Sequence, residues 1–332
     1  MWGVALVLVV VSLICAEGFW RWNGYDQTVI DDSALWCEVR GRIESAPSNS
    51  LALIGHSRIR QGFANQAFQE EVPGVPAYQL AIFNSNPIIT LRDLAENTEF
   101  NGIVLCSMLS HCVLPERWMN DEITQNSKHV VHVYHRDWNL AKKLDRRVRT
   151  SAQLTLSMFH PDLSIQTALP DIVRNQWPIQ WIWTDPDRMQ RVEYEKVDLK
   201  AYRKSRLEDI GRLIEEASEL SSYKNWPQSA QLGPINEWVR LIQDRGGQVV
   251  FFRPVTSGPY GEALDKAFPR EKFWDHIVNN TPAKSIHFKD VPEMARMECA
   301  EGSHLFEKHT EEFTKVLARE IKKLGDQYLV QR

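Results

Sequence analysis

A large excess of charge of either sign is missing from this chain. Its 39 Lys and Arg against 43 Asp and Glu leave a formal net charge of −4 and a pI near 6.2. No field exists that would gather nucleic acid, and nucleic acid is excluded as a partner. The five cysteines, Cys15, Cys37, Cys106, Cys112 and Cys299, form no CxxC pair and no zinc-knuckle spacing, so the usual redox and zinc signatures are absent. Cys15 lies in an apolar leader. The other four suit either two disulfides in an oxidising compartment or buried free thiols, and their spacing does not choose. There is no internal repeat and no low-complexity run. No Lys or Arg precedes the first apolar stretch, so the basic n-region of a signal peptide is lacking too.

The chain is rich in length and apolar mass. At 332 residues, 43% of them apolar and 12 of them Trp, it has room for one large domain or two ordinary ones around a sizeable core. Trp2 to Ala16 carries no charge, and Phe19, Trp20 and Trp22 come after it like an interfacial aromatic belt. That stretch lies between a signal-peptide core and the roughly 20 residues of a full transmembrane span. Ser12-Leu-Ile-Cys15 puts bulky Ile14 where a lipoprotein box has a small residue. Residues 1–22 therefore read as an N-terminal membrane anchor or signal segment, with the uncleaved anchor preferred. Arg21, just after the span, weakly opposes export of the residues beyond it, although long domains translocate largely regardless of such charges.

Residues 23–49 are polar and mixed, and a helix over Ser33–Ile43 is expected to link the anchor to a domain at 50–328. Leu51–Ile54 reads as a first strand, and Val75–Phe83 as a second after the Pro73-Gly74 turn signal. Gly102–Ser107, Gln248–Arg253 and Ser285–Phe288 read as the third, fourth and fifth. Helical spacing falls at Ile88–Glu96, at Arg206–Ser221 and at Pro234–Arg245, where Gly246-Gly247 is a stop. An amphipathic helix over Lys308–Gln327 closes the chain. Strands alternating with helices indicate an α/β domain whose parallel sheet is built from βαβ units. From about residue 113 to 204 the pattern lapses. That stretch is rich in Arg, His, Trp and Pro, and reads as a long insertion after strand three that covers part of the sheet edge and is helical at Asn139–Leu156.

The chemistry concentrates in two places. Leu51-Ala-Leu-Ile-Gly-His-Ser-Arg58 is a buried strand that ends abruptly at Gly55, leaving Ser57 at the carboxyl edge of the sheet, where open α/β sheets bind ligands. Cys299-Ala-Glu-Gly-Ser-His-Leu305 precedes the closing helix. In it Glu301 and His304, three apart in a turn, are close enough for the carboxylate to hold the imidazole. Such a bond would set the tautomer and stabilise the imidazolium formed when His304 takes a serine proton. Either stretch alone is common, because turn serines are often caps and helix-entry turns often carry acids and histidines.

Together these stretches resemble the SGNH (GDSL-type) hydrolase superfamily. Within it the chain is similar to the membrane-anchored proteins that accompany membrane-bound O-acyltransferases, such as the alginate O-acetylation proteins and the D-alanyl-lipoteichoic acid accessory protein. The likeness covers most of residues 19–324. It rests on Phe19-Trp-Arg-Trp-Asn-Gly24, Leu53-Ile-Gly-His-Ser-Arg58, Gln79-Leu-Ala-Ile82, Phe268-Pro-Arg270, Phe273-Trp-Asp275, Ile286-His-Phe288 and Gly302-Ser-His-Leu305. It implies a three-layer α/β/α, flavodoxin-like fold with a five-stranded parallel sheet, a nucleophile at Ser57, and the Asp-x-x-His pair at Glu301 and His304. The oxyanion hole it implies uses the backbone N–H groups of Ser57 and Asn84. Four positions depart from the superfamily pattern. His56 replaces an aspartate, Asn84 a glycine and Glu301 an aspartate, and after strand three Ser107, Ser110 and His111 stand where an asparagine is expected.

The remaining candidates have ordinary readings beside functional ones. His56, Arg58 and His111 are candidates for lining a pocket. His129, His132 and His135 have no carboxylate or cysteine pair that completes a zinc set, so no metal and no cofactor is assigned. Trp177, Trp181 and Trp183 suit sugar stacking, or core or membrane-interface packing, and packing is the default. Arg136, Lys142, Lys143, Arg146, Arg147 and Arg149 suit lipid headgroups or solvent, and solvent is the default. The expected function is an extracytoplasmic serine esterase or O-acyltransferase, with acetyl as the expected acyl group, on a polysaccharide or cell-envelope glycan. A membrane-bound O-acyltransferase partner is implied by the resemblance alone. The alternative is a non-catalytic, glycan-binding accessory of such an enzyme. A surface phospholipase is a third reading, and would need an apolar acyl channel.

Overall fold

The computed structural model describes residues 2–119, 121–160, 163, 173, 179–228 and 230–325. Helix α1 (Trp2–Trp22) is long and apolar enough to cross a membrane, and none of its residues is buried. It outruns the charge-free stretch because Glu17 and Arg21, one turn apart, pair at 2.5 Å. At 1.5 Å per residue its 21 residues reach about 30 Å, the thickness of a hydrocarbon core.

Helix α2 (Ser33–Arg42) starts at Asp32, whose carboxylate accepts the Leu35 N–H at 2.9 Å. It is not the connector expected of residues 23–49. Leu35, Trp36, Cys37 and Val39 are buried in the core, and the Trp36 indole N–H donates to the Leu80 carbonyl at 3.0 Å. Arg40 is buried with them and pairs with buried Asp93 at 2.6 Å.

The sheet contains β1 (Leu51–Ile54), β2 (Ala77–Gln79), β3 (Ile103–Ser107), β6 (Gln248–Arg253) and β7 (Lys284–His287), in the order β2-β1-β3-β6-β7. All pairings within it are parallel. Side chains alternate across each strand. Ala52, Ile54, Val104, Cys106, Val249 and Phe251 join one core, which holds α2 and α5 (Pro87–Asn97). Leu51, Leu53, Ile103, Leu105, Val250 and Phe252 join a second core, which holds Ile59, Phe63 and Phe68 and the apolar face of the closing helix. Layers lie on both faces of an α/β sheet. On the second side the short helices α3 (Ser57–Gly62) and α4 (Asn65–Glu71) meet Phe313, Val316, Leu317 and Ile321. Each of these large side chains contributes about 1.5–3 kcal/mol on burial.

Several elements differ from the sequence reading. Strand β2 is shorter than Val75–Phe83, because its chain leaves the ladder after Gln79 while Leu80 and Ile82 still donate to the Leu53 and Gly55 carbonyls at 2.8 and 3.0 Å. Part of the stretch expected to be irregular is the long helix α6 (Asp121–Asp137), which packs on α2 and α5. His129, His132 and His135 lie exposed on this helix, and His135 bonds Asp93 at 2.7 Å. Helix α7 (Leu140–Thr155) comes next, and the antiparallel pair β4 (Ile182–Thr184) and β5 (Gln190–Val192) lies farther on. Helix α8 (Leu199–Glu219) begins earlier than Arg206, because Asp198 caps it through the Lys200 and Ala201 N–H groups, both at 3.0 Å. Helix α9 (Leu232–Asp244) precedes β6, and α10 (Gly258–Ala267), entered through Pro259, comes after it. Helix α11 (Glu307–Gly325) closes the described chain. The five cysteines are free thiols, and Cys37, Cys106, Cys112 and Cys299 are buried among apolar side chains. Trp177 lies outside the described residues, whereas Trp181 packs on Tyr194 and Tyr202.

Candidate active site

Strand β1 delivers Ser57. The strand ends at Ile54, Gly55 turns with φ +153, extended His56 precedes the helix, and Ser57 is the first residue of α3. The strand order reverses between β1 and β3. This is the switch point of the doubly wound order 2-1-3-4-5, where open sheets leave a crevice outside their carboxyl ends. Ser57 is buried in that crevice.

The loop before α11 delivers the other two groups. Cys299 and Leu305 form an isolated antiparallel bridge, and the Ala300 N–H donates to the His304 carbonyl at 2.7 Å. The loop is tied to the end of β6 as well: the Ser257 N–H donates to the Gly302 carbonyl at 3.0 Å, and the Cys299 N–H to the Ser257 hydroxyl at 2.9 Å. Gly302 has φ +96, and a Cβ there would lie 2.4 Å from Tyr260 Cβ. Held this way, His304 places Nδ1 2.5 Å from Glu301 Oε1 and Nε2 2.7 Å from Ser57 Oγ. The Ser303 hydroxyl donates to the same Glu301 oxygen. An ionised carboxylate can only accept, so Nδ1 carries the proton and Nε2 is left to accept from the serine.

No family model matches this chain, nor does any curated protein or solved structure.

The electrostatics suit a neutral base. Burial works against Glu301 ionising, but the His304 charge and the bonds from His304 and Ser303 outweigh it and hold the carboxyl at about 2. For His304, burial and the Arg58 and Arg206 charges outweigh Glu301 and lower its pKa. The base therefore stands unprotonated at neutral pH beside an ionised acid.

Ser57 and His304 line a cleft of about 830 Å³ together with His56, Arg58, Asn84 and His111. Glu301 is buried behind His304, on the side of the ring away from Ser57. Ser57, His304, Glu301, Asn84, His56, Arg58 and His111 thus gather at this one place, whereas His129, His132, His135, Trp181 and Trp183 do not line it. Asn84 is exposed at φ +46, a left-handed conformation that glycine or asparagine adopts at least cost. His56 does not bond Ser57. Its Nε2 lies 3.7 Å from Cys112 Sγ, and its pKa falls to about 3 through burial and the Arg58 charge, against a bond to the Ser107 backbone. His111 is pushed well below its usual pKa by burial, then by the Arg117, His56, Arg58 and Arg253 charges. Arg58 donates to the Tyr260 hydroxyl at 2.7 Å.

Other residues here gave little sequence signal. Asn86 caps α5 by accepting from Ile88 and spends its amide on the Cys112 and Arg117 carbonyls at 2.9 and 3.0 Å. Arg206, Tyr202 and Asp209 reach the cleft from α8, and Tyr260 from α10. The Pro259 entry to α10 was the one readable cue for Tyr260. Ser303 was visible only as a neighbour of His304.

Proposed function

We propose that this chain is a membrane-anchored serine acyl-ester hydrolase or O-acyltransferase of the SGNH type, with its domain outside the cytoplasm. The observation that carries the reading is the continuous bond path from Glu301 through His304 to Ser57, at a sheet switch point and opening on a cleft. Ser57 Oγ attacks the acyl carbonyl while His304 Nε2 takes its proton, and Glu301 stabilises the imidazolium. The backbone N–H groups of Ser57 and Asn84 hold the oxyanion. The tetrahedral intermediate collapses to an acyl-Ser57, expelling a sugar hydroxyl that receives the proton from His304. Water, or a second sugar hydroxyl activated by His304, then takes the acyl group. The cleft lining favours a glycan over a lipid tail. Arg58, Arg117, Arg206, Arg212, Asp209, Glu216 and Asn126 offer groups that bind hydroxyls, and polar side chains of this kind suit a sugar better than an acyl chain. Acetyl on a polysaccharide or cell-envelope glycan is the substrate we infer, with a membrane-bound O-acyltransferase as partner.

The test is covalent labelling by a fluorophosphonate probe. Wild-type chain is expected to label, and Ser57→Ala is not. Absence of wild-type labelling, or persistent labelling of Ser57→Ala, refutes the serine nucleophile. Glycan acylation in cells that survives both Ser57→Ala and His304→Ala, but not loss of the anchor, would instead point to the non-catalytic accessory.

A further inference from the structure

Helix α7 is packed inside out. Its buried side chains are Arg146 and Gln153. Arg146, only 1% exposed, reaches Asp32 at 3.3 Å, and Gln153 accepts the Ile30 N–H at 3.2 Å. On the opposite face Leu140, Leu144 and Val148 are 71%, 52% and 70% exposed. A spacing of four places these three on one stripe, with exposed Leu154 beside it. Lys143 and Arg147 border the stripe on one side with no carboxylate partner among the described residues, and Arg149 pairs with Asp145 on the other. A helix facing only water would gain nothing from such a stripe, and contiguous exposed apolar side chains mark an interaction surface.

The surface leads to the anchor. Helix α7 ends at Thr155, whose carbonyl accepts from Arg21 at 3.1 Å. In the turn just beyond it, Glu17 accepts the Ser157 and Met158 N–H groups at 2.9 and 3.0 Å. The last turns of α1 are thus fastened to the end of α7. Exposed Phe19, Trp22 and Phe159 stand at the same junction. The stripe runs back along α7 from this junction, and its border charges without a carboxylate partner among the described residues are basic.

We propose that α7 is an interfacial helix, lying in the anionic headgroup region of the bilayer that α1 spans. Leu140, Leu144 and Val148 enter the acyl boundary, and Lys143 and Arg147 meet lipid phosphates. The domain then has two attachments to the bilayer, and rotation about α1 is restricted.

The experiment uses the full chain in vesicles, with Cys15→Ser removing the one exposed thiol and an environment-sensitive fluorophore on Leu144→Cys. Vesicles are phosphatidylcholine alone or mixed with phosphatidylglycerol, each with and without a nitroxide-bearing lipid. The expected result is blue-shifted emission, shielding from iodide and quenching by the nitroxide, all stronger with phosphatidylglycerol. Lys143→Gln with Arg147→Gln should bring the mixed vesicles down to the phosphatidylcholine level. A reporter on Glu208→Cys, exposed on α8, should be open to iodide and unquenched by lipid. Iodide access at position 144 equal to that at 208 would overturn the proposal, as would shielding without nitroxide quenching, which marks cover by protein. Equal quenching in both lipid mixtures would overturn the headgroup assignment.

Discussion

Ser107 limits what can stand at position 55. A Cβ on Gly55 would lie 2.8 Å from the Ser107 carbonyl oxygen and 2.9 Å from the Ser107 Cβ, and Gly55 has φ +153. The crowding exists because β1 and β3 are ladder neighbours that end side by side, so the turn presenting Ser57 must pass against the end of β3. Gly55→Ala is expected to cost at least about 2 kcal/mol of stability and to pull Ser57 off His304. A thermal melt together with the fluorophosphonate labelling rate checks both effects. A variant that melts and labels like wild type would show that the turn has slack.

The base makes a prediction about pH. His304 must be neutral to accept the Ser57 proton, and its pKa lies below 6.5 because burial and the Arg58 and Arg206 charges outweigh Glu301. Labelling should therefore be flat above neutrality and fall only as pH drops through a midpoint under 6.5. Removing a nearby positive charge favours the imidazolium, so Arg58→Gln should move that midpoint to higher pH. A midpoint that stays put, or moves down, would mean that Arg58 does not act on His304.

Glu301→Gln keeps the shape of the acid but removes the charge that stabilises the imidazolium and selects the tautomer. If the site works as proposed, by analogy with serine triads labelling should slow by about 10³- to 10⁴-fold with little loss of fold. Single-turnover labelling rates measure it. A loss below ten-fold would show that Ser303 or water can hold the imidazole unaided.

Asn84 serves the oxyanion through its backbone in this reading, so its side chain should matter only for conformation. At φ +46, Asn84→Gly should leave labelling nearly unchanged, whereas Asn84→Val should cost about 1–2 kcal/mol through left-handed strain. A large loss with glycine would instead assign a role to the amide side chain.

Acid should unfold this protein early. His56 and His287 are held at about 3 and His111 well below its usual value, each first by burial. Between those values and 6.5 the unfolded chain binds protons that the folded chain refuses. Stability is then full above about pH 6.5 and falls with acid, by at most about 1.4 kcal/mol per pH unit for each enclosed ring. His56, partly exposed to the cleft, should contribute less. Urea midpoints in detergent, tracked from neutral pH downward, test the slope. A flat profile to about pH 5 would mean that the rings are hydrated.

The amino-acid order alone determined the three central strands of the sheet and the chemistry at the end of the first. Leu51–Ile54, Gly102–Ser107 and Gln248–Arg253 are apolar on both faces, and only strands buried on both sides need that pattern. Glu301 and His304 were legible as a pair because three residues in a turn suffice to bring them together. Tertiary structure decided what depended on distance along the chain. Periodicity could not assign Ala52 to one core and Leu53 to the other, nor show that α2 is core rather than connector, since its buried Arg40 needs Asp93 for a partner. It could not place Tyr260 and Arg206 at the cleft, because they enter on helices distant in sequence that only tertiary packing brings beside it. It also could not reveal that α7 turns Arg146 inward and Leu144 outward, which only packing against Asp32 and α1 decides. Ser57 began as the serine at the end of an apolar strand. Its bond to His304, across 247 positions, exists because parallel strands bring their carboxyl ends to one edge.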